Sequence, residues 1–447
     1  MQRITCDSSG NFFNANGTPF LVNGESAWLW YAQPTVADQT TYLTNRASKG
    51  INSIYVQAIS RPTDHTAGSN SDGDFAFTTH TATTADMSTY NATYFNKLRD
   101  FIRLCASFNI YVWLSPCYLG FSGDINDGWA TILAAQSPTV AAGYGTNIAT
   151  TMINEPNIVW LIGGDDNPDA TTLARQTSMV DAIKAVIPSA VFTGHWDQSA
   201  MPSSSFDSGI PFNDFGSGQR ADSAYTWGVT YSQIEGVYGA GSPAGLLEGK
   251  YENNNAFGWT PLLIRQQFWN CFLSGGQYGN FYGNEQIWPA GSTNTNPQSG
   301  PNWFAHLGDL GITYQGYWYT QMIQRAWYKL IPDTGNQLFT AGRQTHGQNT
   351  YVTGAKTPDG KFACAYLSST NGLTVDFTKM AGLTTARWFD PTNNTFTNVT
   401  GSPFPNTGSH VLTPPATNST GDPDFALFLE VNTSLGRAFF EQQLGLQ

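Results

Sequence analysis

Asn157-Ile158-Val159-Trp160-Leu161-Ile162-Gly163-Gly164-Asp165 is a short, almost unbroken apolar run that ends in a carboxylate. A run of this length without period-two alternation reads as a strand buried on both faces, the pattern of parallel sheets. Ala244-Gly245-Leu246-Leu247-Glu248 has the same form. Each segment predicts a buried strand that delivers an acid at its C-terminal end.

Working outward, strand and helix patterns alternate over residues 1–335. Pro19 to Val22 and Gly24-Glu25-Ser26-Ala27-Trp28 form the first apolar region. Thr35, with Asp38 three residues on, then opens a helix that runs to Lys49. Asn52 to Ala58 reads as the second strand. From Tyr94 to Phe108, Phe95, Leu98, Ile102 and Cys105 share a helical face. Ile110 to Ser115, the Trp160 run and Val191 to Trp196 follow as strands, with a helix over Ala170 to Val186. A sixth strand is expected near Pro211 to Gly216. Leu246-Leu247 lies in the seventh, and Thr260 caps a helix with Pro261 at its first position, ending near Leu273. Tyr278 to Tyr282 is the eighth strand and Ile312 to Trp327 the last helix. Parallel strands need helical crossovers of about this length, so the pattern predicts an α/β chain built on a (β/α)8 TIM barrel. The rival, a doubly wound open sheet, lacks a Gly-x-Gly-x-x-Gly loop after the first strand.

Beyond Asp333 the texture changes. Tyr351-Val352-Thr353, Phe362 to Leu367, Thr374 to Phe377, Ala386 to Phe389, Phe396 to Val399, His410 to Leu412 and Phe425 to Val431 are short runs separated by turn signals such as Thr357-Pro358-Asp359-Gly360. Such spacing without helices predicts a small antiparallel β-sandwich over 336–432, with 433–447 as a tail.

Charged residues are only 12% of the chain and aromatic ones 14%, a surface suited to stacking on uncharged rings. A net charge of -12 argues against nucleic acid or a polyanion as partner, because no basic stripe is present to displace counterions. No run approaches a membrane span. Met1-Gln2-Arg3-Ile4 carries no signal-peptide pattern. Abundant Ser, Thr and Asn, with sequons at Asn16, Asn91, Asn393, Asn398, Asn418 and Asn432, lead us to expect a secreted or periplasmic protein. Cys6, Cys105, Cys117, Cys271 and Cys364 show no metal-type spacing and read mostly as small buried hydrophobes, with room for one disulfide.

In a (β/α)8 barrel the C-terminal strand ends converge, so Asp165 and Glu248 would meet. Glycoside hydrolysis needs two such carboxyls, one protonated toward the leaving oxygen and one ionised as nucleophile or base. The plainer reading of Asp165 is a helix N-cap, for which Asp166 or Asn167 is equally suited. Asn154-Glu155-Pro156 imitates a glycosidase motif but precedes its strand, which puts Glu155 at the opposite mouth of the barrel. Trp28, Gln57, Trp113, His195, Trp196, Tyr251 and Tyr282 lie near strand ends, where aromatic faces stack on sugars and Gln or His bonds hydroxyls. Each is equally at home as a buried core residue. Six His without paired spacing predict no metal, and nothing calls for a cofactor.

Several segments together resemble the apiosidase-like glycoside hydrolases. They are Gly24-Glu25-Ser26-Ala27-Trp28, Tyr42-Leu43, Gly50-Ile51-Asn52 with Gln57, Asn157 to Asp165, Glu248-Gly249-Lys250-Tyr251-Glu252, and Gly275 to Gly279 with Ile287-Trp288. The stretch with Pro358-Asp359-Gly360, Tyr366 and Ala386 to Pro391 resembles the small β-domain that follows the barrel there, a domain named for collagen binding. The resemblance implies a retaining mechanism with Asp165 as acid/base and Glu248 as nucleophile. Three departures stand out. Asp166 beside Asp165 is a competing acid, Glu252 in the Glu248 motif is a competing nucleophile, and Glu25 replaces the family's Asp in the pocket. The implied substrate is a neutral glycan, furanosidic or of branched plant type. The alternatives are an endo-glucanase or galactofuranosidase linkage specificity, and a noncatalytic carbohydrate- or matrix-binding protein whose β-domain carries the function. No feature signals an oligomeric partner.

Overall fold

The computed structural model describes residues 1–60, 68–81, 83–120, 128–196, 219–220, 227–239, 241, 243–254, 258–291 and 302–431. Eight parallel strands form the barrel: β1 (Val22–Ser26), β2 (Ser53–Gln57), β3 (Tyr111–Ser115), β4 (Ile158–Gly163), β5 (Phe192–His195), β6 (Gln219–Arg220), β7 (Leu246–Glu248) and β8 (Gly279–Asn284). The hydrogen-bonded order is β5-β4-β3-β2-β1-β8-β7-β6, so the sheet curls until only the β5–β6 seam lacks a ladder among the described residues. The expected strand over Pro211 to Gly216 lies outside the described residues, and the strand bonded to β7 is β6.

The helices are α1 (Val36–Ser48), α2 (Ala92–Ser107), α3 (Ala130–Ala135), α4 (Pro138–Thr151), α5 (Ala170–Val186), α6 (Trp227–Val237), α7 (Pro261–Leu273) and α8 (Leu310–Ile323). Thr35 caps α1 as expected, its hydroxyl accepting from the Asp38 N–H at 3.2 Å. The cap of α5 is Asp169, which accepts from the Thr172 N–H at 2.7 Å. That assignment removes helix capping as the reason for Asp165. The last helix ends at Ile323, and Trp327 opens a separate short turn over Trp327–Lys329.

An antiparallel hairpin, Phe13–Ala15 with Thr18–Phe20, lies against the N-terminal end of the barrel. The Phe13 ring is 5.9 Å from Trp113 and 5.2 Å from Tyr278, and Trp113 stacks on Tyr278 at 5.0 Å. Trp113 is therefore barrel filling low in the interior, which corrects its expected place at the strand-end mouth. Glu155 stands just before β4 and pairs with Arg103 at 2.8 Å, at the mouth opposite Asp165.

The C-terminal region is two antiparallel sheets. One orders Ile331–Pro332, Thr353–Lys356, Phe362–Leu367, Phe425–Val431, Thr384–Asp390 and Thr395–Asn398; the other joins Phe339–Ala341, Leu373–Asp376 and Ser409–Leu412. Side chains alternate across the larger sheet. Ala363, Ala365, Leu367, Leu427 and Leu429 face the sandwich core, while Phe362, Cys364, Tyr366 and Phe428 join the core of the barrel. α7 is clasped between the two bodies, and every residue from Ile264 to Leu273 is buried. Arg265 donates to Asp424 at 2.7 and 2.6 Å and to Asp422 at 2.6 Å, and Trp269 stacks on Tyr366 at 5.7 Å. Cys105, Cys117, Cys271 and Cys364 are buried free thiols, which leaves no pair for the single disulfide allowed from sequence. Burial pushes the Cys117 thiol up to about 12.

Candidate active site

The end of β4 is shaped by two glycines that no other residue could replace without displacing its neighbours. Gly163 (φ +97°) and Gly164 (φ +121°) are left-handed. A Cβ on Gly163 would lie 2.2 Å from the His195 carbonyl oxygen, and one on Gly164 would lie 2.3 Å from the Tyr118 ring. The chain turns tightly between these neighbours and presents Asp165, itself at φ +52°. Asp165 Oδ2 accepts from the Tyr118 hydroxyl at 2.8 Å. The Asp165 backbone N–H donates to His195 Nδ1 at 3.2 Å, and Asp165 Oδ1 lies 3.3 Å from the same nitrogen.

His195 ends β5 and is fully buried. Its Nε2 lies 3.1 Å from Glu248 Oε2, within hydrogen-bonding distance but not aligned as a hydrogen bond. Glu248 ends β7, and its Oε1 accepts a short hydrogen bond from the Tyr251 hydroxyl and a longer one, 3.4 Å, from Tyr55. Tyr251 also meets Tyr55 at 3.0 Å and Ser26 Oγ at 2.7 Å. Burial, then the Glu248 charge, pushes both phenols well above their ordinary range, so they remain donors. Asp165, His195 and Glu248 offer atoms within 4.8 Å of one another, the one such group among the described residues able to hold a cation.

Around this trio, Trp28 is 4.3 Å from Tyr55, 4.9 Å from Tyr118 and 5.3 Å from His195, ring to ring. Gln57 lies two residues past Tyr55 on β2 and shares its face; its Oε1 is buried with no hydrogen-bond partner among the described residues. Trp196 folds back over the ends of β4 and β5, where a Cβ on Gly194 would come within 2.4 Å of its indole nitrogen. Asp166 is half-buried beside Asp165.

Four expected site residues lie elsewhere. Glu25 is sealed behind β1, its carboxylate held by Arg46 Nε and Nη2 at 2.6 and 2.7 Å and by Tyr42 at 2.5 Å. Its neighbour Ser26 takes the interior face instead. Tyr282 donates to Glu252 at 2.5 Å, and Glu252 Oε2 also accepts the Gly311 N–H at 2.8 Å. Glu252 thus serves the N-terminus of α8, whose N-cap Asp309 makes no side-chain cap bond. Trp113 is the fourth, in the barrel core. Tyr55, Tyr118 and Ser26 went unnoticed in the sequence. Tyr55 was discoverable as the residue sharing the strand face of Gln57, whereas Tyr118 sits in a loop with no periodic signal.

Residues 7–329 match the family model described as "Apiosidase-like, catalytic domain". The chain belongs to the apiosidase-like family. It is a glycoside hydrolase. Residues 331–430 match a second model, described as "Putative collagen-binding domain of a collagenase". The apiosidase-like chain is also similar in structure to a glycoside hydrolase family 5 protein from Bacteroides vulgatus ATCC 8482, at 16% identity and a TM-score of 0.80 over 97% of this chain and 94% of that one. A second solved structure, titled "Glycoside hydrolase", shares 19% identity with a TM-score of 0.78 over 97% and 98%. Likeness at this identity speaks for the fold. Among curated proteins none matches.

Proposed function

We propose that this apiosidase-like enzyme hydrolyses an uncharged glycan with retention, Asp165 acting as acid/base and Glu248 as nucleophile. The observation that carries the reading is that one oxygen of each carboxyl comes within 4.8 Å of the other at the C-terminal ends of β4 and β7. Retaining glycosidases hold the pair about 5–5.5 Å apart, whereas inverting ones leave about 6.5–9.5 Å for a water. Glu248 attacks the anomeric carbon while Asp165 protonates the departing oxygen; Asp165 then takes a proton from the water that releases the sugar. Trp28 and Trp196 supply faces for the C–H side of a ring, and the Gln57 Oε1 is an acceptor for a hydroxyl. The sparse charge of the chain fits a neutral substrate, furanosidic or branched and of plant type, met outside the cytoplasm.

The test is a panel of neutral polysaccharides and aryl glycosides, with the anomer of the first product followed by NMR. Retention is expected, together with loss of activity in both Asp165→Asn and Glu248→Gln; wild-type rates in either variant would overturn the assignment. The cation-competent geometry of the trio supports a second reading. EDTA leaves the rate unchanged on the two-carboxylate mechanism, while a loss restored by a divalent cation would favour a metal-centred one.

A further inference from the structure

Resting on the hydrolytic reading, we propose that Gln57 and Ser115 form a two-point clamp for one hydroxyl of the sugar, Ser115 donating to it and Gln57 accepting from it. The two residues end neighbouring strands, β2 and β3, and are registered opposite each other, as Tyr55 is opposite Trp113 two positions below. Tyr55 reaches Glu248 and Trp113 lies 5.3 Å from Phe281, so this face of β2 and β3 is the barrel interior. Successive strand residues alternate faces, which turns Gln57 and Ser115 inward at the C-terminal mouth. They are 2% and 1% exposed.

Each carries a polar atom that the fold leaves unused. Gln57 Oε1 and Ser115 Oγ are buried with no hydrogen-bond partner among the described residues, so they do not bond each other either. Their backbones, by contrast, are tied down. The Gln57 N–H donates to the Trp28 carbonyl at 2.9 Å, and the Ser115 carbonyl accepts from the Ala58 N–H at 2.8 Å. An unpaired buried polar group lowers stability, and two of them side by side at a substrate pocket point to a ligand that pairs with them. An amide oxygen only accepts, whereas a serine hydroxyl can donate. The occupant that satisfies both donates once and accepts once, as an alcohol does. Adjacent strands stand about 4.8 Å apart, a gap that one oxygen bonded at about 2.8 Å to each side spans. A turn of the Gln57 amide about its broad terminal torsion admits the hydroxyl. The Trp28 ring, 4.3 Å from Tyr55, flanks the same wall and offers its face to the C–H side of the ring. The clamp selects a sugar whose hydroxyl is free at this position. It rejects the deoxy sugar, which leaves both atoms unpaired, and the methyl ether, which cannot donate.

Two measurements test the clamp, and the first needs no substrate. Thermal unfolding of Ser115→Ala and Gln57→Leu should give midpoints at or above that of the wild type, since each deleted polar atom has no partner to lose. A fall of more than about 3 °C in either would show that the fold itself satisfies these atoms and would overturn the two-point clamp. The second compares a glycoside that the wild type cleaves with its singly deoxygenated and O-methylated analogues. One position should matter by about 100-fold or more in kcat/KM. Both variants should lower kcat/KM on the parent about tenfold and lose most of the discrimination at that position alone. Discrimination that stays at the wild-type level at every position would overturn the proposal, because a packing role leaves it untouched. Inactive Asp165→Asn and Glu248→Gln with unchanged discrimination in Ser115→Ala and Gln57→Leu would defeat this inference alone. Active Asp165→Asn and Glu248→Gln variants would instead defeat the two-carboxylate mechanism, with the clamp still judged by its discrimination.

Discussion

Glu25 and Glu248 are both buried glutamates of the barrel wall, yet they are held in opposite ways. Glu25 points outward to α1, where Arg46 grips both oxygens and Tyr42 adds a third bond. Its charge is neutralised and its lone pairs are occupied, so it has nothing left to do to a ligand. Glu248 points inward, and its described partners are two phenols, which donate without cancelling its charge, beside the His195 imidazole at 3.1 Å. Arg103 with Glu155 and Arg265 with Asp424 repeat the first pattern. A carboxylate closed by arginine is committed to the fold, whereas no guanidinium claims the oxygens of Glu248 among its described partners.

The largest effect that could break this contrast is kinetic. Glu248→Gln should lower kcat/KM by at least about 10^4-fold with the thermal midpoint nearly unchanged, whereas Glu25→Gln should leave kcat/KM of the folded enzyme within about threefold. Comparable losses in both would erase the distinction. Next comes stability. Removing one partner of a buried ion pair costs about 3–5 kcal/mol because the other charge is stranded. Arg46→Met should therefore destabilise the barrel by that amount in urea titrations. Arg265→Met, which strands Asp424 between α7 and the sandwich, should cost as much and expose the junction to limited proteolysis. A loss under about 1 kcal/mol in either would show that solvent reaches the orphaned carboxylate.

The smallest effect sharpens the case of Glu252. Burial, opposed by the hydrogen bond from Tyr282, holds its carboxyl above the ordinary glutamate range. A group raised in the folded state contributes its stability in full below the unfolded value, about 4.3, and loses it as pH rises through the folded value. Glu252→Gln cannot lose that contribution. Its thermal midpoint should thus gain on the wild type as pH climbs from about 4 toward 8, with activity retained. Lost activity would return Glu252 to contention as nucleophile.

Much of this was legible beforehand for reasons that can be named. The Trp160 run, the Thr35 and Thr260 caps and the lengths between them are local signals, and the apiosidase-like wording of Glu248 to Glu252 narrowed the acids to two. Reading Glu155 as a residue of the opposite mouth needed only its position ahead of β4. Trp113 does face the interior and was misplaced only in depth, whereas the failures at Glu25 and Tyr282 share one cause. Strands of a parallel barrel are buried on both faces, so the alternation that marks inside from outside in an antiparallel sheet is erased.

The chain by itself determined the order of strands and helices and the delivery of Asp165 and Glu248 at strand ends, because run length, caps and turn residues act over a few neighbours. Tertiary structure alone decided that Ser26 rather than Glu25 and Phe281 rather than Tyr282 face the interior. It also decided that His195 stands between the two acids. Those outcomes depend on strand tilt and on which side chains α1 and α8 bring against the wall, and these are contacts between residues far apart in sequence.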